Sequence, residues 1–365
     1  MQPSDRTYPL KKPEGHRPPV PRWQLVFGDS IDTIHIVYIG IQHHSASDPT
    51  VSNAVEQCTN AILQWMRNEE HGPTASESFE VIDGDDNQGS RVWVCYWVDE
   101  IAYRRSLEAL SLSSLFADLP SDARGEIGLW LETFSLPVTR LETNYSGLDY
   151  LPGLARLPNT TTQPHELTAY WGAARDRIPA SAHDLFAEQE PAQADDATNG
   201  KGKHLVGSNT VNMVYIRSGQ FWENCGEQEA EAYETRLEPT LEAGLRYLWE
   251  NRDAGAMGLR YLRNTPPPSQ SHDSSPPHKL KETCAAGFFT SLERLEEWAK
   301  THKSHLAIYN GAMRHAKIFG DDRRFRTWHE VGILKEGEGR FEYINCTGNT
   351  GLIRSTRLRE EALVN

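Results

Sequence analysis

The feature that most constrains this fold is an order of strands and helices that occurs twice. Ile34–Ile41 (IHIVYIGI) is β-branched and aromatic with apolar residues on both faces, which predicts a buried strand. Pro49 opens a helical pattern with Val55, Cys58, Ile62 and Trp65 or Met66 on one stripe. Phe79–Ile82 and Arg91–Val98 read as strands parted by the turn DGDDNQGS, and Arg104–Leu115 as an amphipathic helix. Gly128–Leu136 reads as a strand leading into Arg140–Tyr145. The order then recurs. Val211–Arg217 is a strand, and Glu227–Trp249 is a helical stretch divided at Pro239. Gly258–Leu262 and Thr283–Phe289 are strands, and Ser291–His302 is a helix with Ser291 as its N-cap. Arg326–Leu334 and Phe341–Cys346 close as a hairpin. The segments CYWVDEIAYRRSL and GFFTSLERLEEWA echo each other, each running an aromatic strand end into a helix. This predicts an α+β protein built from two ferredoxin-like units, mostly antiparallel.

The expected organisation is a Pro-rich arm over 1–24, with six prolines, and a first unit with extensions over 25–187. A polar loop over 188–203 precedes the second unit, 204–356. A Pro/Ser-rich insertion, 264–280, interrupts that second unit. The formal net charge of -14 argues against a nucleic-acid partner. No apolar run is long enough for a membrane span, and no export signal is visible. Five scattered cysteines without a C-x-x-C pattern fit free thiols and a cytoplasmic location.

Several residues could carry chemistry. Alternation puts Thr327, His329, Val331 and Ile333 on one face of their strand, with Trp328, Glu330, Gly332 and Leu334 on the other. A histidine on such an apolar face is either a hydrogen-bonded core residue or a pocket residue, and pattern alone favours the core. His302 and His305 could ligate a metal or simply end a helix. Ser218 precedes Gly219 at a strand end, ordinarily a turn position, and no G-x-S-x-G surrounds it. Tyr170–Pro179 reads as extended, with Arg175 and Arg177 on one side and Glu142 as an available acid. Exposed ion pairing is the simpler reading of those arginines. Walker, Rossmann and H-E-x-x-H motifs are absent, and His329–Glu330 point to opposite faces of a strand, which excludes zincin chemistry.

At YWGAARDRIP, VYIRSGQFW, the SHL of KSHLAIYN, RTWHEVGIL and FEYINCTGNTGLIR, the chain resembles the aldoxime dehydratases, haem lyases of the phenylacetaldoxime and aliphatic aldoxime dehydratase family. The resemblance spans about 22–354. It implies a dimeric-α+β-barrel fold, a homodimer, and a non-covalent haem b (protohaem IX) that is ferrous in the active state. His305 matches the proximal iron ligand, His329 the distal catalytic histidine, Ser218 the distal serine and Arg177 the distal arginine. Glu142 matches a distal acid of the aliphatic branch, and His302 has no matched role. The implied substrate is an aldoxime and the product a nitrile. A peroxidase-like or chlorite-degrading haem enzyme on the same fold, or a non-catalytic haem or small-ligand binder, are the alternatives. The separation of His305 from His329 is nearer the phenylacetaldoxime branch.

Overall fold

A computed structural model describes residues 6–44, 49–188, 199–266 and 280–363. Most of the 188–203 loop and of the 264–280 insertion, and the first five residues of the arm, lie outside these. The elements in order are β1 (Trp23–Phe27), β2 (Thr33–His43), α1 (Pro49–Met66), β3 (Ala75–Gly84), β4 (Arg91–Trp97), α2 (Glu100–Glu108), α3 (Leu112–Ala117), β5 (Ile127–Pro137), β6 (Leu141–Tyr145), β7 (Thr160–Pro164) and α4 (Ala173–Arg177). There follow β8 (His204–Ser208), β9 (Val214–Phe221), α5 (Glu227–Ala232), α6 (Glu238–Glu250), β10 (Ala256–Asn264), β11 (Glu282–Phe289), α7 (Leu292–Thr301), α8 (Lys303–Phe319), β12 (Arg326–Ile333), β13 (Gly339–Ile344) and β14 (Arg359–Glu361).

The described strands form one sheet in the order β14-β8-β13-β5-β2-β4-β3-β10-β11-β9-β12-β6-β1-β7. Within it, β5-β2-β4-β3 and β12-β9-β11-β10 are antiparallel blocks with the same βαββαβ order. These are the two expected ferredoxin-like units. They meet edge to edge where β3 pairs with β10. Each block is extended by strands from the other half of the chain. β6, β1 and β7 lie beyond β12, while β13, β8 and β14 lie beyond β5.

The sheet curls until its inner face meets itself. Tyr38 and Tyr215 lie on β2 and β9, with four strands between them in the sheet, yet their phenol oxygens are 3.0 Å from each other. The inner core includes Phe134, Phe288, Trp130, Trp328 and Phe341. On the outer face, α1 and α3 cover the first block through Val51, Val55, Cys58, Ile62 and Phe116. α6 and α7 cover the second through Leu245, Leu248, Leu292 and Leu295.

The duplication is legible at side-chain level. Gly40 of β2 pairs with Trp130 of β5, and Gly219 of β9 pairs with Trp328 of β12. A Cβ at either glycine would fall inside the facing indole. Glycine is therefore required at both positions by close approach, not by backbone angle. This match aligns Ile39 with Ser218, Leu131 with His329 and Glu132 with Glu330.

Five expectations need correction. The helix expected over 104–115 is two helices, because Asp99 caps α2 and Ser111 starts α3 by accepting from the Ser114 N–H. The closing hairpin is absent: β12 pairs with β9 and β6, and β13 with β5 and β8, so each strand gains two partners where a hairpin supplies one. The extended reading of 170–179 gives way to α4, entered through Gly172 at φ +95. β9 runs to Phe221, so Ser218 lies inside a strand and is not a turn residue. His305 belongs to a helix, α8, that follows α7 directly. His302 stands between them in extended conformation and caps α8, its ring accepting from the Ser304 N–H. Pro239, in contrast, falls in the first turn of α6, after a π turn over Tyr233–Leu237.

Candidate active site

The outer face of the second block is where the two units differ. Ile39 and Leu131 of the first block are packed beneath α1 and α3. Their counterparts Ser218 and His329 line a cavity of about 490 Å³ instead. That volume suits a sizeable organic ligand. Three adjacent strands form its floor. His329 sits opposite Ser218 on β9 and opposite Asn144 on β6, while Val331 sits opposite Ile216 and Glu142. Side chains at such cross-strand positions have Cβ atoms about 4.5–5.5 Å apart. α6, α7 and α8 supply Leu241, Leu245, Leu295, Trp298, His305 and Ile308 to the wall.

All five candidate residues, Glu142, Arg177, Ser218, His305 and His329, line this one cavity. Arg177 enters from α4. Its Nε lies 2.8 Å and its Nη2 3.0 Å from the two carboxylate oxygens of Glu142. This is a two-point fork, and both side chains are buried, so the exposed-pair reading of Arg177 does not hold. Arg177 also donates to the Leu167 carbonyl at 2.6 Å. Burial works against ionisation of Glu142, but Arg177 and then His329 prevail and hold its carboxyl down to about 2. Arg175 turns elsewhere and pairs with Glu296 at 2.9 Å.

His329 Nε2 lies 3.0 Å from Glu142 Oε1 and 2.9 Å from Arg177 Nη2. A carboxylate only accepts and a guanidinium only donates. With a proton on Nε2, His329 donates to Glu142; without one, it accepts from Arg177. The ring therefore has a partner in either state. This decides between the two sequence readings: His329 is a pocket residue, with its side chain about 28% exposed.

Across the cavity, His305 Nδ1 lies 2.7 Å from the Ala299 carbonyl oxygen. That oxygen can only accept, so Nδ1 carries the proton and Nε2 carries a lone pair. Burial, foremost, pushes the His305 pKa below its ordinary value and keeps the imidazole neutral; His329 adds to the effect. Trp298 meets the ring edge-on at 4.8 Å between centroids, and Trp171 does so at 6.4 Å. A neutral, oriented imidazole beside an apolar cavity could serve as an iron ligand through Nε2. His302 stacks on Tyr247 outside this constellation.

Sequence reasoning missed other residues of the wall. Asn144 and Gln220 follow Glu142 and Ser218 by two positions, so strand alternation could have found them. Tyr309 lies one helical turn beyond His305. His165 is not itself on the wall but touches it through Asn144, and it escaped any local pattern. Its Nε2 bonds Asn144 Oδ1 at 3.2 Å, and burial first, then Arg177, lowers its pKa to about 4.

The profile of the haem-containing dehydratase family matches residues 37–352. The chain belongs to this family, that of the aldoxime dehydratases. Its relatives are distant in sequence and complete in coverage. An aliphatic aldoxime dehydratase from Pseudomonas chlororaphis is 28% identical over 96% of this chain and 95% of its own length. A phenylacetaldoxime dehydratase from Bacillus sp. (strain OxB-1) is 27% identical over 93% of each chain. Crystal structures of an aldoxime dehydratase, and of one in complex with butyraldoxime, each superpose with a TM-score of 0.80. Their identities are 28% and 26%, and both cover 97% of this chain, with 96% and 94% of their own. The haem that gives the dehydratase family its name fits this donor set: a lone-pair nitrogen on His305, tryptophans beside it, and an apolar wall.

Proposed function

We propose that this chain dehydrates aldoximes, R–CH=N–OH, to nitriles and water, with a non-covalent protohaem IX held on His305 Nε2. The observation that carries this reading is the Glu142–Arg177–His329 cluster on the strand floor, facing His305 across one apolar cavity. Haem held there would supply, in its ferrous state, an electron-rich iron able to polarise an oxime N–O bond.

The chain's own residues do the rest. Hydroxide is a poor leaving group, so the departing oxygen needs a proton. Glu142 Oε1 takes the Nε2–H of His329, which leaves Nδ1 as the nitrogen that serves substrate. Protonated there, His329 gives its proton to the leaving oxygen, which departs as water. The neutral Nδ1 then takes the C–H proton as the nitrile forms, and the imidazolium is restored. An imidazole suits both steps because its ordinary pKa, ~6.5, lies near neutral pH. Ser218, directly opposite His329, donates to the oxime oxygen and orients it. Arg177 keeps Glu142 ionised, so the imidazolium always has its counter-charge. Ile216, Val331 and Leu245 seat the R group and exclude water.

The test is an absorption spectrum of the dithionite-reduced protein before and after an aldoxime is added, with nitrile measured by chromatography. A Soret band that shifts with aldoxime, together with nitrile formation, is expected. Peroxide turnover exceeding nitrile formation would move the assignment to a peroxidase-like enzyme. A colourless protein from haem-replete cells would end the haem reading altogether.

A further inference from the structure

Besides its histidines, the cavity wall carries four charged side chains: Arg22, Arg177, Glu142 and Glu296. Three are matched within the protein. Arg177 and Glu142 form the buried fork described above. Glu296 faces Arg175 at 2.9 Å and Lys11 at 3.5 Å. Arg22 has no carboxylate within ion-pair distance among the described residues. Its guanidinium donates to the carbonyl of its own neighbour, Pro21, at 3.1 Å.

The surroundings of Arg22 are hostile to a lone cation. Burial, then Arg323, then Arg177 depress its pKa to about 10, and Tyr309 acts in the opposite direction. Arg22 is half-buried at the cavity wall, and an anion placed beside an unpaired, partly desolvated cation stabilises it. The backbone at this point is anchored: the Arg22 carbonyl accepts from the His165 N–H at 3.1 Å, and β1 begins at the next residue. Tyr309 sits one turn beyond His305 on α8, so Arg22 works on the wall that carries His305. Of the four charges on the cavity wall, Arg22 alone therefore faces no opposite charge among the described residues.

We propose that Arg22 is the anion-binding residue of this cavity and takes a propionate carboxylate of the haem. This rests on the haem reading above. A guanidinium meets a carboxylate through two parallel N–H donors, which fixes orientation as well as charge. Arg22 thereby sets which way round the macrocycle sits over His305.

The test is a Soret titration of apo-protein with haem and, separately, with its dimethyl ester, whose propionates are uncharged. Wild type is expected to bind haem about ten- to hundred-fold more tightly than the ester, the range for losing a hydrogen bond to a charged group. Arg22→Gln is expected to lose that preference by weakening haem binding alone. Arg22→Lys, which keeps the charge without the fork, should lie between. A circular dichroism melt of each variant separates misfolding from weakened binding. An Arg22→Gln protein that folds and still prefers haem as wild type does overturns the proposal, and assigns the cation to some other anion, such as a substrate carboxylate. Equal affinity of wild type for haem and ester overturns it too. Wild type that develops no Soret band with either porphyrin overturns the haem reading itself, a result distinct from the other two.

Discussion

At the scale of single residues, the site separates two imidazoles by environment. His305 has its Nδ1–H committed to a backbone carbonyl and its half-buried ring beside Trp298, and desolvation lowers its pKa, so it stays neutral. His329 has an acceptor, Glu142, and a donor, Arg177, at Nε2, so that nitrogen has a partner in either tautomer. These differences predict different losses. His305→Ala should abolish the Soret band; a normal band in that variant would overturn the proposed role of His305 in holding the iron. His329→Ala should keep haem but lower nitrile formation by about 10²–10⁴-fold, the usual weight of a general acid–base group. Steady-state turnover near that of wild type would take His329 out of the chemistry.

At the scale of elements, the two Gly–Trp contacts test what the duplication is for. Both glycines exist because an indole lies across them. Gly40→Val and Gly219→Val should each destabilise the fold by at least about 1–3 kcal/mol through overpacking, read as a lowered urea midpoint. Their effects on activity should differ. Gly219 neighbours Ser218 on β9, and Trp328 neighbours His329 on β12, so displacement there moves the cavity floor. Gly40 and Trp130 stand beside Ile39 and Leu131, under α1 and α3, and turnover per folded molecule should survive. Equal activity loss in both variants would show that the first block also shapes the site. The helix break at His302 matters for the same reason. It ends α7, caps α8 and thereby turns His305 toward the cavity.

At the scale of the whole molecule, buried carboxyls on neighbouring strands are shifted in opposite directions. Glu330 points inward from β12, where burial, only partly offset by Arg217, raises its pKa to about 7. Glu282 of β11 is raised to about 7 for the same first reason. Raised carboxyls favour folding below their ordinary value of 4.5, and that contribution is lost as pH rises through 7. Glu142 acts the other way. Its contribution is present above 4.5 and lost as pH falls toward 2. Stability should therefore peak in mildly acidic solution and decline on both sides. Urea midpoints measured from pH 3 to 9 check this, and Glu330→Gln should flatten the alkaline limb. An unchanged limb in that variant would place the alkaline loss elsewhere.

Sequence alone determined the repeated strand and helix order, because hydrophobic period and caps are local properties. The alternation around His329 was equally legible, since a strand sends neighbouring side chains to opposite faces. The resemblance named five of the residues that line the cavity. Their proximity was not local information. Glu142, Arg177, Ser218 and His329 come from β6, α4, β9 and β12, and the pairing of β6 with β12 joins the two halves of the chain. Spacing along the chain encodes no such exchange. The parting of β12 and β13, the short helix carrying Arg177 and the isolated charge of Arg22 belong to the same class. Each depends on which partner a segment finds in space. Only the curled sheet decided that an apolar strand face in the first unit became the floor of a cavity in the second.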